Sequence, residues 1–261
     1  RLPWRDRLPT RFLRANRRAI ATIDREVFAI LARRRARLVA EANEGDGDLL
    51  DGLLGATYAD GSRMTDAQVR DEILTLTSTG YETLGEALTW TWYRLALHPD
   101  EEGRLLETLA NGNGGGIAPG AAERAERLLA EVLRLHPPTW IFARVPVETD
   151  DLPIGGTVSP GDTLLLCQYV LHRHPRAFPD PDRFDPDRFA DARPSRSAYL
   201  PFGDGAHKCI GEHLARLEGV RVLLRVLPRL RFRVEAPERV EPYGGITLRP
   251  WGGLQARVEA R

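Results

Sequence analysis

Cysteine, lysine and methionine are nearly missing from this 261-residue chain: it has two cysteines, one methionine and a single lysine, Lys208. Two cysteines cannot build a disulfide framework. Cys167 lies in the apolar run "TLLLCQYVL" and is expected to be a buried strand residue. Net charge is missing too. The 37 basic and 37 acidic residues cancel, which removes the electrostatic case for a nucleic acid or an anionic membrane as partner. No apolar run reaches the ~18 residues that a membrane helix needs, and no signal peptide is visible. The chain begins at Arg1 and not at Met, so we expect sequence upstream of it. What is present, 42% apolar and 28% charged residues, fits a soluble globular protein long enough for one large domain with a proper core.

The first half has helical periodicity. In "RFLRANRRAIATIDREVFAILARRRARLVAEA", Phe12, Ala19, Ile23, Val27, Ile30 and Leu31 recur near 3.6 residues, with arginines opposite, until "NEGDGD" breaks the pattern. Thr65 and Gln68 have the spacing of a capping box. From there Val69, Ile73, Leu76, Gly80, Thr83 and Ala87 predict one helix to about Leu97, about 50 Å long at 1.5 Å per residue. Pro99 with Asp100, Glu101 and Glu102 opens another helix. "NGNGGGIAPG" reads as a loop, and a helix over roughly 121–136 stops at Pro137-Pro138.

The period then changes. Residues 137–171 read as two or three short strands with a turn at Pro160-Gly161, and the proline-rich stretch to residue 200 as an ordered meander. A last helix from about Ile210 ends before Pro228. "RFRVEA", "GGITLRP" and "LQARVEA" close the chain as small strands. The fold class is mainly α with small β-sheets (α+β). We expect one domain over 1–261: helical to 136, strands and meander over 137–200, a glycine-rich loop and final helix over 201–228, and strands over 229–261.

Cys209 stands out in "PFGDGAHKCIGEHLARLEG". A thiolate is the metal-binding form of cysteine, and a helix start with free N–H groups favours an anion. Gly203, Gly205 and Gly211 let the backbone turn tightly and let a flat ligand approach. A lone cysteine before a helix is more often a small buried residue, so the neighbours decide. "FGDGAHKCIG" resembles the haem-binding signature of the cytochrome P450 family, the haem-thiolate enzymes in which cysteine is the iron ligand.

Two further segments carry the same resemblance. "EVLR" (131–134) matches the family's Glu-x-x-Arg pair, and "FDPDRF" supplies Arg188 as its partner from the meander. "TGYETLGEALTW" is similar to the family's oxygen-activation segment, with Thr79 in place of the usual Ala or Gly and Leu84 in place of a common Thr or Ser. The resemblance implies haem b (iron protoporphyrin IX), with Cys209 as axial iron ligand and Phe202 packed near the sulfur. It implies propionate contacts from His207 and Arg144, and Glu82 with Thr83 as the acid–alcohol pair that delivers protons to bound O2. Glu131, Arg134 and Arg188 would be a buried structural core. Thr79, Gly80, Ile141, Phe142 and Ile246, with their neighbours Thr139, Trp140 and Gly245, would contact substrate.

By the same resemblance the chain is the C-terminal portion of the fold, without its N-terminal sheet and early helices, so that alone it would bind haem weakly. The implied activity is insertion of one oxygen atom of O2 into a small organic substrate, with electrons from a ferredoxin or other donor. A peroxide-using haem-thiolate enzyme and a remnant that binds no haem are the competing readings; Glu82-Thr83 favours the monooxygenase. Arginine for lysine is coding bias of a GC-rich bacterial genome, which points to a cytoplasmic enzyme. Arg216, Arg221 and Arg225 on the final helix could dock the electron donor or form a solvated face. A structural zinc site is disfavoured, because only one cysteine has a plausible ligand setting.

Overall fold

Arg11–Ala40 forms helix α1 in the computed structural model, which describes residues 10–40, 47–111, 119–190, 194–195 and 197–261. The break expected at "NEGDGD" and the loop expected over 111–120 lie mostly outside the described residues. Asp48 caps the short helix α2 (Leu49–Gly55) by accepting from the amides of Leu50 and Asp51. Helix α3 (Asp66–Leu97) then runs unbroken for 32 residues. Its start is the capping box read from the sequence: Gln68 N–H donates to Thr65 Oγ1 at 3.3 Å, and Thr65 N–H donates to Gln68 Oε1 at 2.9 Å.

The chain divides into two compact units, one ending at Thr79 and one spanning Gly80–Arg261. In the first, Val27 and Leu31 of α1 are buried with Leu54 and Val69. Phe12, Ile23 and Ile30, which the repeat places on the same core face, are exposed, Phe12 by 76%. Within this unit α1 is far longer than α2, and the small core gathers on Val27 and Leu31 rather than along the whole stripe.

The second unit is built on the rest of α3, on α4 (Pro99–Ala110) and on α5 (Pro119–Leu135). Pro99 is the first residue of α4 and the acidic first turn follows it. Glu102 in that turn pairs with Arg261 at the other end of the chain. Trp90, Leu105, Leu128, Leu223 and Leu227 are wholly buried and form the core with Leu95. Helix α7 (Glu212–Val226), after a one-turn α6 (Gln168–Leu171), packs on α5 where Gly219 is needed. A Cβ there would come within 2.7 Å of Leu129 Cδ2.

Four strands, rather than two or three, occupy 137–171: β1 (Phe142–Arg144), β2 (Asp150–Asp151), β3 (Thr157–Val158) and β4 (Leu164–Leu166). β1 pairs with β4 and β2 with β3, both antiparallel. Cys167 is a correction to the sequence reading. It follows β4, caps α6 and is half-buried, because the sheet ends at Leu166, and even Leu165 is 67% exposed. The described part of the meander is irregular apart from a 3-10 turn at Pro186–Phe189. Near the C-terminus β5 (Leu230–Val234) pairs with β8 (Ala256–Ala260), and β6 (Pro242–Gly244) with β7 (Leu248–Pro250), as two antiparallel hairpin-like ribbons. No helix among the described residues is long and apolar enough to cross a membrane.

Candidate active site

The loop before α7 is held by its backbone, which leaves its side chains available. Cys209 N–H donates to Phe202 O at 2.9 Å, and Gly203 N–H to Leu200 O at 3.0 Å. Gly203 and Gly205 sit at φ +71° and +72°, the left-handed region that glycine enters without strain. Gly211 caps α7, and a Cβ on it would lie 3.8 Å from Cys209 Sγ. Cys209 itself is exposed. Phe202 turns inward onto Ala87 of α3 and Leu129 and Leu133 of α5. Ala87 lies one helical turn after Thr83, so the cysteine loop leans on the part of α3 that carries Glu82 and Thr83.

The face beside Cys209 is apolar: Ile210 is 90% exposed, and Leu214 and Leu217 are also open. Beyond them the helix is charged. Glu212 accepts from Lys208 Nζ at 2.6 Å and pairs with Arg216 at 3.1 Å. Burial works against its charge, but the Lys208 bond and these cations outweigh it and hold its carboxyl below the ordinary value. Arg216 also pairs with Glu126 and lies over the Phe202 ring. Arg221 and Arg225 are exposed on the same helix. His207 is exposed in the 3-10 turn Gly205–His207, and Arg144 in β1 stacks on Phe142 with 4.6 Å from guanidinium to ring centre.

Behind the loop, Glu131 and Arg134 are both fully buried and joined by two hydrogen bonds of 2.7 and 2.8 Å. Arg134 also donates to the carbonyls of His172, Pro181 and Arg183, at 3.0, 2.6 and 3.1 Å. Glu131 accepts from Asp185 N–H at 2.9 Å, and Arg188 stands 3.5 Å from it while donating to Pro179 O and Asp180 O. One ion pair thus pins four points between His172 and Asp185. His172 continues the frame: its Nε2 accepts from Leu200 N–H at 3.0 Å, at the entrance to the cysteine loop. Gln168 donates to Leu200 O from the other side.

Burial pushes the His172 imidazole down to about 4 from 6.5, so the folded chain keeps it neutral while the unfolded chain protonates it. Its contribution is complete above pH 6.5 and is lost as pH falls towards 4, by about 3 kcal/mol. We expect urea unfolding midpoints of the wild type to fall between pH 7 and pH 4.5 by more than those of His172→Gln. Equal losses in the two proteins would show that His172 does not carry the acid sensitivity.

On α3, Gly80 and Tyr81 are exposed, and a Cβ at Gly80 would meet nothing within 4 Å. Glu82 and Thr83 are half-buried. Glu82 Oε1 accepts from Thr247 Oγ1 at 2.9 Å. Thr79 belongs to the first unit, where its hydroxyl donates to Thr75 O at 2.7 Å. The turn between β6 and β7 is fastened at several points: Trp140 Nε1 donates to Gly245 O at 3.0 Å, Leu248 N–H to Pro138 O at 2.9 Å, and Trp90 Nε1 to Leu248 O at 2.9 Å. Ile246 projects from that turn, 95% exposed, while Ile141 and Phe142 are half-buried nearby in sequence to Trp140. Sequence reasoning missed Thr247, His172 and Gln168. Their partners lie 165, 28 and 32 residues away, and no local motif marks them.

The donor set decides what this site can hold. Among the described residues no group of three or more His, Cys, Asp or Glu could bind a bare metal ion. One exposed thiol beside an apolar face instead suits a metal already held in a flat macrocycle, which needs a single axial donor. Haem fits these residues: a soft sulfur ligand at Cys209, apolar surface at Ile210 and Leu214, and the Arg144 guanidinium and a ring N–H of His207 as donors for its carboxylates.

A mainly helical chain with a single-thiol loop of this kind defines the haem-thiolate class. The family described as Cytochrome P450 matches residues 1–250. The chain belongs to the cytochrome P450 family. It is 37% identical over 217 residues to cyclooctatin synthase of Streptomyces melanosporofaciens, covering 79% of this chain and 47% of that protein. To pentalenene oxygenase of Streptomyces avermitilis it is 35% identical over 222 residues, covering 82% and 49%. Among solved structures it resembles the heme domain of cytochrome P450DA (TM-score 0.82, 27% identity, 95% of this chain and 55% of that one). It also resembles a retinoic acid bound cyanobacterial CYP120A1 (TM-score 0.84, 25% identity, 97% and 59%). The chain spans about half the length of the curated relatives it matches.

Proposed function

We propose that the chain is the haem-thiolate portion of a cytoplasmic monooxygenase. The enzyme would insert one oxygen atom of O2 into a small organic substrate with an apolar body, using electrons from a ferredoxin or another donor. The observation that carries this reading is the packing of Phe202, from the cysteine loop, on Ala87, one turn beyond Glu82-Thr83. The names of the relatives support it, since one is a pentalenene oxygenase and another a cyclooctat-9-en-7-ol 5-monooxygenase.

Bound haem supplies the binding and reduction of O2. Cys209 would hold the iron through its sulfur, and the half-buried Arg144 guanidinium and the exposed His207 imidazole would meet the haem carboxylates. Thr83 would give a proton from its hydroxyl, and Glu82, protonated in turn from solvent, would return one to it through water. Ile246, Ile141 and Phe142 hold the substrate body and exclude water. Glu131, Arg134 and Arg188 keep the meander and loop in place and touch no reactant.

The test is turnover of the haem-loaded protein with reduced ferredoxin under 18O2. We expect one labelled oxygen per product and little product with hydrogen peroxide alone. Thr83→Ala is expected to shift electrons from product to peroxide by roughly 100-fold, the lower end for losing a positioned proton donor. Turnover with peroxide but none with the electron donor would overturn the monooxygenase reading in favour of a peroxide-using enzyme. Unchanged coupling in Thr83→Ala would remove that residue from proton delivery.

A further inference from the structure

We propose that Thr247 is a positioning residue for Glu82: its hydroxyl holds the carboxylate in place and ties it to the turn that carries Ile246. The bond is direct, Thr247 Oγ1 to Glu82 Oε1 at 2.9 Å, and Thr247 is only 5% exposed. A buried hydroxyl needs an acceptor, and a carboxylate is a strong one. Thr247 is therefore not an interchangeable β-branched residue at this point of the turn.

The turn does not need this bond to keep its shape. Trp140, Pro138 and Trp90 fasten Gly245 and Leu248 on either side of it. Gly244 lies so close to the Trp140 ring that a Cβ would come within 2.8 Å. The hydroxyl is thus an additional link on an already anchored segment. Its two ends are an acid on α3 and a turn whose adjacent residue, Ile246, is 95% exposed. A molecule that presses on Ile246 displaces the residue next to the one that grips Glu82. Contact with substrate and placement of the acid are in this way coupled through one side chain.

The coupling rests on the proposed role of Glu82, so the experiment has two separable parts. The first uses the chain without haem and measures hydrogen exchange at the Gly245 and Leu248 amides, which donate to Thr247 O and Pro138 O. Thr247→Val should speed exchange about tenfold, as expected for loss of one hydrogen bond to a charged group, and Thr247→Ser should restore protection. Adding Glu82→Ala to Thr247→Val should bring no further increase. Additive effects of the two substitutions would overturn the link.

The second part uses the haem-loaded protein. Thr247→Val should lower the ratio of product to peroxide about tenfold, and Thr247→Ser should recover the ratio. A Thr247→Val protein with wild-type coupling, or a loss that serine does not rescue, would overturn the positioning role. If the haem-loaded wild type turns over with peroxide but not with the electron donor, the monooxygenase reading falls, and the link between Thr247 and Glu82 is decided by the exchange measurements alone.

Discussion

Glu131→Ala is expected to cost about 3–5 kcal/mol, the usual consequence of stripping one partner from a buried ion pair. That is a large share of the ~5–15 kcal/mol by which domains are stable. The arithmetic follows from where the charges sit. Glu131 and Arg134 have no exposed surface at all. Without the carboxylate, the guanidinium keeps its three carbonyl acceptors, at His172, Pro181 and Arg183, but not its countercharge. Asp185 N–H also loses its acceptor.

Graded variants separate charge from hydrogen bonding. Glu131→Gln keeps one oxygen for Asp185 N–H and is expected to lose less than the alanine variant. Arg188→Ala, which loses two carbonyl contacts at the edge of the frame, should cost about 1–2 kcal/mol. Arg134→Leu should be as damaging as Glu131→Ala, because it orphans the carboxylate and releases the meander together. Urea titration of the four variants checks the order. A Glu131→Ala protein within 1 kcal/mol of wild type would mean that water reaches the pair and that it does not hold the meander.

The sequence disclosed elements whose signals are local. The start of α3 was readable because Thr65 and Gln68 are three residues apart and complete their bonds within one turn. Its end, and that of α5, were readable because prolines follow. The glycines at 203 and 205 marked a tight turn, and the structure holds both in the left-handed region. Elements whose partners are remote were not readable. The α1 repeat placed Phe12 and Ile23 on a core face, yet burial depends on what lies opposite, and the short α2 does not extend along the helix. Cys167 looked like strand because its neighbours are apolar, whereas its pairing partners end at Phe142, opposite Leu166. Within the site, the sequence placed Glu82, Thr83 and Cys209 on their elements. It could not supply the Thr247 bond or the His172 support of Leu200, which exist only once distant segments meet.

Cys209→Ser separates the fold from the chemistry more sharply than any other substitution. The side chain is exposed, and the loop is held through the Cys209 amide, which serine keeps. Stability of the chain should therefore stay within about 0.5 kcal/mol of wild type. The ligand chemistry should be lost completely. Serine offers a hard, protonated oxygen where cysteine offers a soft sulfur, the metal-binding form being its thiolate. In the haem-loaded protein, reduction under carbon monoxide should give the thiolate Soret band in the wild type and none in Cys209→Ser. Cys167→Ser is the control: half-buried beyond the end of β4, it should leave the band in place. A thiolate band that survived at Cys209→Ser and vanished at Cys167→Ser would move the ligand to the other cysteine. It would also undo the assignment of the glycine loop. Paired with Glu131→Ala, the variant separates stability from ligation, since Glu131→Ala should lower stability and keep the thiol, whereas Cys209→Ser should keep stability and lose the ligand bond.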